Sequence, residues 1–138
     1  QQPDYGRGSH VLAMGRAKPK EHGDPKDKYF VGMPSGKVVV IEDVTTTGGS
    51  MIKNLDSLKQ AGAEVVAVIS LTNRMEKRDD GLSVQAAVQQ RGITFYTMSS
   101  SLDVLPQVYR KIKPGEEIAR AIETEFDEYG VQPLKLTT

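Results

Sequence analysis

Val38-Val39-Val40-Ile41-Glu42-Asp43-Val44-Thr45-Thr46-Thr47-Gly48-Gly49-Ser50 is the stretch that decides the fold. Its first four residues form a continuous β-branched run. That pattern reads as a strand buried on both faces, because a strand with one wet face alternates apolar and polar residues. The run ends in two carboxylates, and Glu42–Gly49 reads as a loop rich in hydroxyls and glycine. A helix is expected next, over Met51–Gln60, with Met51, Ile52, Leu55 and Leu58 on one face and Gly62 as a stop signal. A buried strand, a glycine-rich turn and an amphipathic helix make the first half of a parallel crossover unit.

The pattern repeats downstream. Val65–Leu71 reads as a second buried strand and Thr72–Gly81 as a polar, charged loop. Ser83 is placed to cap a helix that runs to about Gln90 and is closed by Gly92. Ile93–Met98 reads as a third strand and Leu102–Tyr109 as a short helix. A last helix is expected over Glu116–Tyr129, with Ile118, Ile122 and Phe126 at fourfold spacing and Gly130 at its end. Upstream, Gln1–Ser9 is a loose lead-in and His10–Met14 a short apolar strand. Gly15–Lys28 fits no helical or strand period, and its lysines, prolines and glycine mark a mobile basic loop with Tyr29–Gly32 as the returning arm. The expected fold class is α/β: one domain over residues 1–138, a parallel sheet flanked by helices, with right-handed crossovers. In such sheets ligands sit beyond the carboxyl ends of the strands, so Glu42–Ser50, Thr72–Gly81 and Ser99–Ser101 are the loops to inspect.

Composition narrows the class of function. The chain has 138 residues, 38% hydrophobic and 26% charged, which suits one globular domain rather than a disordered chain. Lys plus Arg and Asp plus Glu are both 18, so a general basic field for coating nucleic acid is absent. With no cysteine, disulfides, thiolate zinc sites and a cysteine nucleophile are excluded. His10 and His22 are the only histidines, too few for a histidine-rich metal site. His10, within an apolar run, reads as structural. Tyr5, Tyr29 and Tyr96 are too scattered for a base-stacking platform. No apolar run is long enough to span a bilayer, and the polar start lacks a signal-peptide pattern, so a cytoplasmic location is expected. The chain begins with Gln rather than Met, so a processed, truncated or separately numbered piece is expected.

The chemistry concentrates in Glu42–Ser50. Glycines let backbone N–H groups approach a phosphate closely, and the start of the following helix adds the positive end of its dipole. The hydroxyls of Thr45, Thr46, Thr47 and Ser50 can donate to phosphate oxygens. Two carboxylates beside an anion site would repel a bare phosphate, but they suit ribose hydroxyls or a cation that itself carries phosphate. Taken piecemeal, Thr and Gly at a helix start are ordinary capping and an acidic pair after a strand is often only solvated; it is the ordered string that carries the reading. The GxxxxGK[ST] motif is absent, and Gly6-Arg7-Gly8 fails to complete GxGxxG because Val11 occupies the third glycine position.

This string resembles the phosphoribosyl-diphosphate (PRPP) binding signature of type I phosphoribosyltransferases. The resemblance implies that Glu42 and Asp43 contact the ribose hydroxyls and that Thr45, Thr46, Thr47, Gly48, Gly49 and Ser50 hold the 5′-phosphate. Arg16-Ala17-Lys18-Pro19-Lys20-Glu21-His22-Gly23 is similar to the catalytic loop of orotate phosphoribosyltransferases, with Arg16, Lys20, His22 and Gly23 matching and Ala17 replacing a basic residue. A basic loop closing over departing pyrophosphate would stabilise its growing negative charge. Ser70-Leu71-Thr72-Asn73-Arg74 is similar to the segment in which those enzymes carry an arginine for the orotate carboxylate, which implies that role for Arg74, with Thr46 also touching orotate.

The resemblance runs from about His10 to Gly130. It implies transfer of the phosphoribosyl group from PRPP to orotate, giving orotidine 5′-monophosphate and pyrophosphate in pyrimidine synthesis. Lys20, His22 and Asp43 would be the catalytic residues, Mg2+ would be carried mainly by PRPP, and a homodimer would exchange the basic loop between sites. The N-terminal part that in this family supplies a hood over the base, the first core strand and a lysine-bearing loop has no counterpart before His10. An open sheet edge and an exposed core face are therefore expected. Two other readings remain open: a non-catalytic PRPP- or nucleotide-binding regulatory module on the same fold, and a phosphoribosyltransferase for another base.

Overall fold

The structure, a computed structural model, describes residues 6–16, 18–22, 28–32 and 34–136. The Ala17 and Gly23 positions of the basic loop lie outside the described residues. Two short strands, β1 (Met14–Gly15) and β2 (Phe30–Val31), pair antiparallel at the root of that loop, with Met14 opposite Val31 and Gly15 opposite Phe30. The expected strand over His10–Met14 is thus reduced to its last residue plus Gly15, because only these two find a partner on the returning arm.

The main sheet has three parallel strands in the order β3 (Lys37–Thr45), β4 (Glu64–Asn73) and β5 (Thr94–Ser100). Helix α1 (Gly49–Gln60) joins the first two strands and α2 (Val84–Gln89) the second and third. Helices α3 (Ser101–Ile112) and α4 (Glu116–Tyr129) complete the chain. Register explains how one face becomes core. Val40, Val68 and Phe95 lie in one row across the three strands. Met51, Ile52 and Leu55 of α1 and Val84, Ala87 and Val88 of α2 close over that row. The predicted apolar face of α1 is buried in full, including Leu58.

The strand run Val38–Ile41 corrects the expectation of two buried faces. Neighbouring residues on a strand point to opposite sides. In the next row, Ile41, Ile69 and Tyr96, the outer two side chains are 67% and 57% exposed. Val39 and Met98 are exposed on the same side, so an apolar sheet face is left without cover in the described chain, and β3 and β5 are open edges. The strands also run further than their apolar cores. Glu42, Asp43, Val44 and Thr45 belong to β3 rather than to a loop, and Ser99 and Ser100 belong to β5, because Thr45, Asn73 and Ser100 continue the same ladder. Ser100 then caps α3, accepting the N–H of Asp103 at 3.3 Å.

Helix α3 is longer than expected, tolerating Pro106 in its interior, and α4 has the expected bounds. On α4 Phe126 is buried as its spacing suggests, but Ala119 is buried in place of Ile118, which is exposed. After α4 the chain returns antiparallel to Met75–Lys77, with Lys77 N–H donating to Tyr129 at 2.7 Å and Val131 N–H to Met75 at 2.8 Å. Among the described residues no helix is long and apolar enough to cross a membrane.

Candidate functional site

At the carboxyl end of β3 the chain turns sharply into α1. The turning residue is Gly48, which is left-handed at φ 69° and ψ 13° and caps the helix without any side-chain bond. The first intrahelical bond at this end is Ile52 N–H to Gly48 O, at 2.9 Å. The N–H groups of Gly49, Ser50 and Met51 therefore precede the helical ladder and are free to meet an anion, helped by the helix dipole. These residues line a cavity of about 330 Å3, together with Glu42, Val44 through Gly48, and Lys53.

The loop above this cavity is tied down at each step. Thr45 is 2% exposed, and its hydroxyl donates to Ser70 Oγ at 2.7 Å, which in turn donates to Thr72 O at 2.9 Å. Of the four hydroxyls expected at a phosphate, that of Thr45 has its proton committed beneath the loop. Thr46, Thr47 and Ser50 line the cavity. Arg74 N–H donates to Thr45 O at 2.8 Å, and Arg78 Nη1 to Thr47 O at 2.7 Å. Gly48 is seated on α2: a Cβ there would stand 2.9 Å from Val84 Cγ1.

The acidic pair is split by the strand geometry. Glu42 is half-buried and lines the cavity; Asp43 is exposed and accepts the N–H of Val44 at 2.7 Å. Burial first, and the neighbouring Asp43 charge second, push the Glu42 carboxyl above its ordinary range. Among the described residues no group of three or more carboxylate or imidazole side chains is placed to hold a metal. Glu42 and Asp43 are the carboxylates at this end of β3 that could serve a Mg2+, a cation that commonly takes one or two carboxylates together with phosphate oxygens and water.

The other expected site residues are not gathered here. Arg74 pairs with Glu76 at 2.7 Å and lines a second cavity, of about 410 Å3, with Ser101, Leu105, Phe126 and Tyr129 among its walls. Thr46 lines the first cavity and not the second, so the two residues assigned to one base face separate spaces. Arg16, Lys20 and His22 lie on the exposed hairpin and line neither cavity. The hairpin is closed by Arg16 N–H to Tyr29 O at 2.8 Å and Lys20 N–H to Lys28 O at 2.9 Å. Its root lies near α1, where a Cβ on Gly15 would be 3.6 Å from Asn54 Oδ1.

Two residues escaped the sequence reading. Lys53 sits one turn into α1, three residues after Ser50, and that spacing was a usable sign that it shares the helix start. Arg78 reaches the loop across 31 positions of sequence, and no local pattern marks it.

Comparison with known proteins agrees with this layout. Residues 16–96 match the phosphoribosyl transferase domain. An orotate phosphoribosyltransferase of Bordetella pertussis is 35% identical over 127 residues, covering 87% of this chain and 55% of the relative. One from Bradyrhizobium diazoefficiens is 45% identical over 71 residues, 47% of this chain and 37% of the relative. The crystal structure of orotate phosphoribosyltransferase from Francisella tularensis superposes with a TM-score of 0.55 at 23% identity, over 73% of this chain and 51% of that one, a likeness of fold. That of the Aeropyrum pernix enzyme gives 0.51 at 25% identity, over 75% and 52%. The chain thus spans about half the length of the relatives it matches. With its strand, turn and helix in the matched region, it belongs to the phosphoribosyltransferase family.

Proposed function

We propose that the chain acts as an orotate phosphoribosyltransferase, taking PRPP and orotate to orotidine 5′-monophosphate and pyrophosphate in cytoplasmic pyrimidine synthesis. The observation that carries this reading is the turn at Gly48. It starts α1, with its free N–H groups, at a cavity lined also by Thr46, Thr47, Ser50 and the half-buried Glu42. That is an anion site beside a polyol site, the two ends of a ribose 5-phosphate.

In the reaction the bond from ribose C1′ to the pyrophosphate oxygen breaks, the electron pair leaves with pyrophosphate, a ring nitrogen of orotate bonds to C1′, and the proton of that nitrogen passes to the departing pyrophosphate or to water. Thr46, Thr47, Ser50 and the N–H groups of Gly48 and Gly49 hold the 5′-phosphate, with Thr45 anchoring the loop from below. Glu42 and Asp43 hold the ribose hydroxyls, and their negative charge supports the positive ribose as it forms. Lys53 adds a cation at the cavity wall. Arg16, Lys20 and His22 close over the pyrophosphate when the hairpin folds down, with Arg16 as a fork and Lys20 as a point charge. Arg74 turns from Glu76 towards the carboxylate of orotate, with Thr46 on the other side of the base. Mg2+, when bound through PRPP, neutralises part of the pyrophosphate charge. A homodimer would bring the hairpin of one protomer to the site of its partner.

A second reading has one observation in its favour. Arg74 is paired with Glu76 and faces a different cavity from Thr46, as suits a module that binds PRPP without turning over orotate. The test is loss of orotate absorbance with purified chain, PRPP and Mg2+, run beside Asp43→Asn. Turnover that disappears in the variant supports the enzyme. PRPP binding by calorimetry without turnover favours the binding module, and absence of both refutes the site.

A further inference from the structure

The Thr45–Ser50 loop is held from outside by the segment that leads into α2, and the hub of that segment is Arg78. Its side chain is 20% exposed. Nη1 donates to Thr47 O at 2.7 Å and Nε to Asp80 Oδ2 at 3.3 Å. The main chain around it is closed on itself: Arg78 N–H donates to Leu82 O at 2.9 Å, Gly81 N–H to Arg78 O at 2.8 Å, and Leu82 N–H to Asp80 Oδ1 at 3.0 Å. These bonds fix the root of the side chain, and Asp80 fixes the plane of its fork. A little further on, Val84 packs under Gly48. The same short segment thus holds the Thr47 carbonyl on one side and the glycine that follows it on the other.

A trans peptide is planar, with its carbonyl and its N–H pointing in opposite directions. Drawing the Thr47 carbonyl towards Arg78 therefore turns the N–H of Gly48 away from Arg78. Both Thr47 and Gly48 line the cavity, and Arg78 does not. We propose that Arg78 is a positioning residue for the 5′-phosphate: its grip on the Thr47 carbonyl sets the Thr47–Gly48 peptide so that the Gly48 N–H faces the cavity before ligand arrives. Preorganised donors cost no reordering when the charge binds. The inference rests on the PRPP reading of the site and adds to it a residue that touches no substrate.

The test is PRPP affinity by calorimetry, with Mg2+, for the wild-type chain, Arg78→Ala and Arg78→Lys, together with amide hydrogen exchange over Thr46–Ser50. Loss of a hydrogen bond from a charged donor predicts PRPP binding about tenfold to hundredfold weaker in Arg78→Ala. Saturating PRPP should protect the Gly48 and Gly49 amides from exchange less in the variant than in wild type. Arg78→Lys keeps the charge but lacks the planar fork that serves Thr47 and Asp80 together, so it should fall between the two. A merely structural tie would lower the unfolding midpoint and leave the PRPP affinity of the folded protein unchanged. Affinity within twofold of wild type in folded Arg78→Ala overturns the proposal, and if Arg78→Ala does not fold, affinity within twofold of wild type in Arg78→Lys overturns it. Failure of the wild-type chain to bind PRPP overturns the reading of the site and this inference with it.

Discussion

Replacing Gly48 by alanine should damage the site and the fold together, and the two costs separate by experiment. Gly48 has φ 69° and ψ 13°, a left-handed conformation that costs a residue with a Cβ about 1–2 kcal/mol. The added methyl would also stand 2.9 Å from Val84 Cγ1, 3.2 Å from Cγ2 and 3.3 Å from Met51 Cε. Val84 is fully buried in the core and, being β-branched, has few rotamers to retreat to, so overpacking adds about 1–3 kcal/mol. The expected loss is about 2–5 kcal/mol in urea unfolding, a large share of the stability of a domain this size. Val84→Ala removes the methyls in the way. In the double variant the steric part should vanish while the backbone part remains, giving a coupling of about 1–3 kcal/mol. Gly48→Ala unfolding within about 0.5 kcal/mol of wild type, or a cycle with no coupling, would refute the close seating of the loop on α2.

Two further outcomes follow from the charge and exposure pattern. Because burial and Asp43 raise the Glu42 carboxyl, the folded chain holds that proton more tightly than the unfolded one. The stability it contributes is present below the ordinary glutamate range and is lost as pH rises through the raised folded value. Glu42→Gln should therefore melt above wild type at pH 7 and converge with it below about pH 4; a lower melting point at pH 7 would refute the assignment. On the sheet, Ile41→Ser and Met98→Ser, at 67% and 74% exposed side chains, should each cost less than about 1 kcal/mol by urea unfolding. Val68→Ala on the covered face should cost about 2–3 kcal/mol, and equal costs would show the open face to be covered in solution.

Val39 and Ile41 on β3 and Tyr96 and Met98 on β5, with Ile69 of β4 between Ile41 and Tyr96, expose apolar surface of the kind that proteins keep out of water. The β-branched run of β3 carries enough apolar residues for two cores, and the described chain supplies helices for one. Reading that run as doubly buried was a sound inference about the residues and a wrong one about the structure, because burial is decided by what packs on a strand and not by the strand.

What the sequence determined by itself is local. The face of α1, the Ser83 cap of α2, the bounds of α4 and the glycine turn at Gly48 all follow from period, capping and backbone freedom within a few residues, and the phosphoribosyltransferase signature lies in one unbroken stretch. Tertiary structure decided what depends on partners distant in sequence. Strand pairing carried β3 through Glu42–Thr45 and β5 through Ser99 and Ser100, since a ladder ends where its neighbour ends. The same is true of the site. The Thr45 hydroxyl is spent on Ser70, Arg74 and Thr46 face different cavities, and Arg78 holds the loop, each through contacts set when β4 and α2 dock. A motif can place the groups that meet a phosphate; the fold alone sets which way each of them points.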